Sequence, residues 1–166
     1  MSEHSCTVEL ASEIAFKDYD AVHKLLTSAF AYMQNRIDPP SSMNRLDIEK
    51  LREKVQTEHL LVALSEEKLV GCVFLKPAAQ AWYLGKLAVD DKMRGQGIGR
   101  ALLEKAESVC FENSGHAIEL EVRIELTENH RFFKKHGFVL SGENSHAGYD
   151  RPTSYSFRKQ VEQQRQ

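Results

Sequence analysis

The stretch AWYLGKLAVDDKMRGQGIGRALLEKAE, Ala81 to Glu107, joins a short, mostly apolar run to an amphipathic helix through a loop that carries three glycines. Tyr83 to Val89 suits a buried strand, whereas Ile98, Leu102, Leu103, Ala106, Val109 and Cys110 recur at helical spacing. In the loop between them, Asp91 to Gly99, the glycines Gly95, Gly97 and Gly99 let the backbone turn tightly and approach a ligand with no side chain in the way. The first amides of the helix have no intrahelical acceptor, so they point outward as donors. A phosphate set there gains several hydrogen bonds and a dipole contribution of roughly 0.3 to 1 kcal/mol, and Arg94 or Arg100 can add charge-assisted contacts.

Spacing narrows the owners of such a loop. A P-loop ends in GK[ST], but Arg100 and Ala101 follow the last glycine here. A dinucleotide fingerprint needs GxGxxG, and neither register fits: the third glycine falls on Arg100 in one and on Leu102 in the other. What the loop does spell is RxxGxG, from Arg94 through Gly97 to Gly99. In that form it resembles the acyl-CoA pyrophosphate loop of the GNAT superfamily of N-acetyltransferases.

A second segment carries the resemblance further. Glu119 to Phe138 reads ELEVRIELTENHRFFKKHGF, a strand of alternating charge, a short helix, and a Gly-Phe turn into another strand. GNAT enzymes have at this place a helix ending in YxxxGF, which packs beside the pantetheine arm; here the element is FFKKHGF, Phe132 to Phe138. The LEVR run, Leu120 to Arg123, is similar to that of the bacterial enzymes that acetylate a ribosomal protein's N-terminal alanine. The resemblance implies an α/β (α+β) GNAT fold, with a mixed, mostly antiparallel sheet of about six or seven strands, about four flanking helices and a splayed central strand pair that holds acyl-CoA. It also implies acetyl-CoA as cosubstrate, with Leu87, Ala88, Val89, Arg94, Gly95, Gln96, Gly97, Ile98, Gly99, Arg100, Asn129, Phe132 and Phe133 around it. Gly85 fits a bulge in the central strand.

Bulk properties agree. The 166 residues suit one domain spanning 1–166, with 1–6 and 160–166 expected as flexible tails, and 42% hydrophobic content supports a core. A net charge of −2 with dispersed Lys and Arg gives no pull toward nucleic acid or anionic membrane. No apolar run reaches membrane-span length and the start MSEHSCTVEL is unlike a signal peptide, so a cytoplasmic monomer or homodimer is expected. Cys6, Cys72 and Cys110 form no CxxC pair, and no spacing supports a metal site.

Elsewhere the pattern reads as follows. Thr7 to Leu10 suits a first strand; Val22, Leu25, Leu26, Ala29, Phe30 and Met33 make one helical face, and Ile48, Leu51 and Val55 a second. Asp38 to Ser42 separates the two helices, and Leu60–Leu64 with Leu69–Leu75 suits a hairpin. A polar loop is expected from Ser141 to Pro152, followed by a last strand near Ser154 to Arg158.

The implied chemistry moves an acetyl group from acetyl-CoA directly to a primary amine of a small molecule or peptide. Glu119, Glu121 and Arg123 alternate with Leu120, Val122 and Ile124, so they share one strand face. On the residues alone that face reads as solvated charge pairs; by resemblance Glu121 becomes the general base. One departure matters: the tyrosine of YxxxGF, the family's general acid, is Phe133, and the asparagine that often ends LEVRxxN is Leu126. Either another donor serves, with Tyr149, His130 and His146 as candidates, or the thiolate leaves unassisted. Arg36, Asp38, Glu119, Arg123, Asp150 and Arg151 are the candidate acceptor contacts, from the loops expected to line the groove. Phe133 also leaves open a catalytically silent acyl-CoA-binding module acting as sensor or docking domain.

Overall fold

A computed structural model describes residues 6–162. Seven strands form one sheet: β1 (Cys6–Leu10), β2 (His59–Ser65), β3 (Lys68–Lys76), β4 (Trp82–Val89), β5 (Ala117–Arg123), β6 (Val139–Asn144) and β7 (Ser154–Gln160). Their order is β1-β2-β3-β4-β5-β7-β6. Four helices flank it: α1 (Tyr19–Phe30), α2 (Ile48–Thr57), α3 (Ile98–Glu112) and α4 (Thr127–Lys135). Every neighbouring strand pair is antiparallel except β4 and β5. A parallel pair cannot be joined by a tight turn, so the chain crosses over through α3.

β2 and β3 are buried on both faces, and their alternation sorts two cores. Leu60, Val62, Cys72 and Phe74 join Val22, Leu25, Leu26 and Leu51 under α1 and α2. Leu61, Ala63, Val73 and Leu75 join Leu102, Leu103, Ala106 and Val109 under α3. This is the period of two that side chains follow along a strand. Local signals start the helices: the Asp18 carboxylate accepts from the Ala21 amide at 3.1 Å, and Asp47 accepts from the Lys50 amide at 2.8 Å. The apolar face read through Met33 holds, although α1 tightens into a 3₁₀ turn at Ala31–Met33.

Several expectations shift. The glycine segment contains a 3₁₀ turn at Asp91–Met93, and α3 begins at Ile98 with Gly97 as its cap, so Gly99 lies inside the first turn. β6 runs to Asn144, so the polar loop begins at Ser145 rather than Ser141. Of the expected tails, Cys6 opens β1, Gln160 ends β7 and Val161 is buried; residues 1–5 and 163–166 lie outside the described residues. All three cysteines are free, and no helix among the described residues is long and apolar enough to cross a membrane.

α3 reaches β5 through a tight reversal in which Ser114 takes a φ of 64° and the Gly115 amide donates to the Cys110 carbonyl at 2.8 Å. A Cβ on Gly115 would stand 2.3 Å from Cys110 Sγ and 2.9 Å from its carbonyl oxygen. Gly115→Ala should therefore destabilise the fold by about 1–3 kcal/mol, read as a lower urea midpoint with unchanged slope. An unchanged midpoint would mean that this turn yields without cost.

Candidate active site

β4 and β5 pair only at Trp82↔Ile118 and Tyr83↔Glu119, and then diverge. On the other edge of β4, Phe74 faces Gly85 and Cys72 faces Ala88, so Val73 lies opposite two residues, Lys86 and Leu87. That is a bulge, and Lys86 takes the positive φ of 54° there. The bulge is one residue beyond Gly85, where a Cβ would make only ordinary contact with the Tyr83 ring, at 3.4 Å.

The divergence opens a groove of about 1870 Å³, larger than a site for one small ligand. Its walls come from the end of α1, the Pro39–Arg45 segment, β4 from Tyr83 to Val89, the glycine loop, β5 from Leu120 to Arg123 and the inner face of α4. Gly95 and Gly97 have φ of 78° and 80°, and a Cβ on either would meet no atom within 4 Å. The loop is thus an open cradle in front of the α3 N-terminus. Gly99 differs, because a Cβ there would stand 3.2 Å from the Phe132 ring; its role is to let α4 approach α3. Arg94 pairs with Asp91 and Arg100 with Glu104, each at 2.9 Å, and both guanidiniums are more than 60% exposed, so they can turn toward an anion at little cost. Gln96 is exposed beside Met93, and Ile98 is buried in the α3 core.

On the α1/α2 side, most candidate acceptor contacts are already engaged. Arg36 holds Glu128 through two bonds of 2.5 and 2.9 Å and donates to the Glu125 carbonyl at 3.2 Å. Arg123 donates to the carbonyls of Pro39 and Pro40 at 2.7 and 3.2 Å. Both are struts for the α1–α2 connection rather than free cations. Asp38 accepts from the Tyr149 hydroxyl at 2.5 Å and pairs with Arg151 at 3.4 Å. These three, with exposed Asp150 and half-buried Glu119, lie outside the groove wall. Glu121 stands in the wall, exposed, with the Ser154 hydroxyl at 3.5 Å.

The Tyr149 phenol is committed to Asp38, which also pushes its pKa up, so the geometry does not aim it at a leaving group in the groove. His130 has Nε2 2.9 Å from the Arg123 carbonyl and packs on Tyr155 and Phe157; the His146 ring is held by the Thr153 hydroxyl. Phe133 is 8% exposed, against Phe132 and Phe138. One turn earlier on the same α4 face, Asn129 donates to the Tyr32 hydroxyl at 3.1 Å. Tyr32 carried no signal in the sequence, because it lies off the apolar stripe of its helix.

Tyr83 was also missed, although strand alternation puts it on the face of Glu119. Burial first, then the Glu121 charge, push its hydroxyl up to about 12. Burial pushes the Cys72 thiol up to about 12 and lowers Lys86, so Cys72 stays a protonated core residue.

Residues 19–138 match the family model described as Acetyltransferase (GNAT) family. The chain belongs to that family. It is 24% identical over 155 residues to the uncharacterized N-acetyltransferase YesJ of Bacillus subtilis, covering 84% of this chain and 86% of that protein. The fold is similar to that of PaiA N-acetyltransferase from Thermoplasma acidophilum in complex with coenzyme A, with a TM-score of 0.77, 18% identity and coverage of 94% and 99% of the two chains. It is similar also to a GNAT family acetyltransferase from Elizabethkingia anophelis with acetyl-CoA bound, with a TM-score of 0.66, 17% identity and coverage of 96% and 100%. The protein is an acyltransferase, and its sheet, helices and splayed strand pair are those of the GNAT fold.

The Arg36 bond, aided by a main-chain contact, holds the Glu128 carboxyl down at about 2 against an ordinary 4.5. A depressed carboxyl stabilises above its unfolded value and loses that contribution as the pH falls through its folded value. Both side chains are about 40% exposed, so the pair contributes no more than about 1 kcal/mol. Glu128→Gln should lower the urea midpoint slightly at neutral pH. The gap to the parent protein should close as the pH falls from about 5 toward 2.

Proposed function

We propose that the protein moves an acetyl group from acetyl-CoA directly onto a primary amine of a small molecule or peptide, with Glu121 as general base. The observation that carries this is one groove with two ends: an open glycine cradle at a helix N-terminus, and an exposed carboxylate across the β4–β5 divergence. Bound acetyl-CoA supplies an activated thioester. The chain's residues do the rest. Amides at the start of α3, with Gly95 and Gly97 leaving room, hold the pyrophosphate, and Arg94 and Arg100 turn onto it. Main-chain groups of Leu87, Ala88 and Val89, facing the divergence, hold the arm and the thioester oxygen, while Phe132 and Phe133 pack beside it.

An ordinary alkyl amine with pKa near 10.4 is neutral in about one molecule per thousand at pH 7.4, which costs roughly 4 kcal/mol. Glu121 removes that proton, directly or through a water. For the departing thiol, Tyr32 is the hydroxyl nearest in kind to the tyrosine that Phe133 replaces, because it meets the same α4 face through Asn129. Asn129 donates to Tyr32, which leaves the phenol proton available.

Gly97→Asp sets a carboxylate against the pyrophosphate, and calorimetry should find acetyl-CoA binding abolished in a folded variant. Unchanged affinity would remove the cradle from the site. Glu121→Gln should lower kcat by roughly 10²- to 10⁴-fold while acetyl-CoA affinity stays put. Full turnover in that variant across pH would take the base role away from Glu121. Tight acetyl-CoA binding with no transfer to any amine would favour the sensor or docking reading.

A further inference from the structure

Lys86 is the one residue of the groove whose backbone and charge are both at a disadvantage. Its φ of 54° lies in the left-handed region, where a glycine would sit without strain and a lysine does not. Its ammonium is half-buried on the α1/α2 side, with Met43 Sδ at 3.8 Å as its polar contact and no carboxylate within ion-pair distance among the described residues. Burial first, then the charge of Lys54, press its pKa down, and Glu58, which lies beyond ion-pair distance, offsets part of that.

Lys54 does not relieve it. That ammonium takes Glu58 at 2.7 Å and lies 5.1 Å from the centre of the Phe74 ring, so one carboxylate serves two ammoniums. Arg45, two residues past Met43 and exposed at the groove wall, adds a third positive charge. The other two arginines of this wall are spent on Glu128 and on the Pro39 and Pro40 carbonyls. Among the described residues, the acceptor side therefore holds an excess of cations around Lys86, facing the exposed Glu121 carboxylate, whose hydrogen-bond partner is the Ser154 hydroxyl at 3.5 Å.

Pairing places them on facing strands. Tyr83 is the last β4 residue paired with β5, opposite Glu119, so Lys86 and Glu121 both lie past the point where the strands part. They therefore stand on opposite banks of the divergence. Between them the Tyr83 ring lies over Gly85 as a floor. An acceptor whose nitrogen meets Glu121 extends across the divergence toward Lys86, and a half-buried ammonium with no carboxylate within ion-pair distance favours an anion there.

Resting on the acetyl-transfer reading above, we propose that the acceptor is a small amine carrying an anionic group, a carboxylate or a phosphate, and that Lys86 holds that anion opposite Glu121. Polycationic amines meet repulsion from Lys86, Lys54 and Arg45 instead.

The test compares kcat/KM for amino acids of two to five carbons with that for their carboxamides, for aminoalkylphosphonates and for spermidine. The anionic acceptors should exceed the carboxamides by about tenfold or more. Lys86→Gln and the strain-free Lys86→Gly should bring that ratio to within about twofold through KM, and Lys86→Arg should largely keep it. Amino acids ahead of phosphonates would name a carboxylate, and the reverse a phosphate. Equal rates for acid and carboxamide, a preference for spermidine, or an unchanged ratio in both charge-removing variants would overturn the proposal. If no amine is acetylated, calorimetry of the corresponding amine-free carboxylates and phosphonates on the CoA-loaded protein decides it: heat seen in the parent and lost in Lys86→Gln supports the anion site, and no heat refutes it. Failure of Glu121 as base would show separately, as a Glu121→Gln variant with full rate and an intact ratio.

Discussion

The structure turns on the parallel contact between β4 and β5, which lasts two residues and then opens. Parallel strands need a crossover, so α3 must leave the top of β4 and return to the start of β5. That path puts the glycine segment, the N-terminus of α3 and the open edge of β4 at one mouth. The β4 bulge at Lys86 and Leu87 re-aims the strand on the side of β3 while its other edge loses β5. Backbone donors, a helix terminus and a gap through the sheet are thereby generated together.

The gap also divides the groove chemically. On the α3/α4 side the walls are glycine loop, apolar helix faces and weakly held, exposed arginines. On the α1/α2 side they are charged, and most charges are matched within the protein. Arg36 with Glu128, Arg123 with two prolyl carbonyls, and Tyr149 and Arg151 with Asp38 tie the α1–α2 connection to α4, β5 and the loop before β7. Exposed pairs of this kind contribute at most about 1 kcal/mol each. Their main effect is positional, and by using up these groups they leave Glu121, Lys86 and Arg45 among the charges of this wall that can answer a ligand.

Two cores hold this frame rigid. Because the middles of β2 and β3 are buried on both faces, their apolar side chains pack alternately under one helical layer or the other. Behind the site, Lys159 bonds Glu107 at 2.6 Å and the His136 carbonyl at 2.9 Å, joining β7 to α3 and to the end of α4. The loops of the groove are thus mounted on a close-packed sheet.

Local sequence determined the elements and the glycine cradle, because hydrophobic period, capping residues and glycine freedom act over a few residues. The amphipathic face of α3, the hairpin of β2 and β3, and the turn at Gly97 were legible for that reason, as was Glu121's place on a charged strand face. Tertiary structure decided which charges remain free. Arg36 meets Glu128 across 92 residues and Asp38 meets Tyr149 across 111, so nothing in the local pattern could disclose that these candidate contacts serve the loops. The same holds for Tyr32 beside Asn129 and for Gly99 under Phe132. A bulge is a mismatch between two strands, so its position at Lys86, and with it a lysine that has no carboxylate within ion-pair distance among the described residues, follows only from the pairing of β4 with β3.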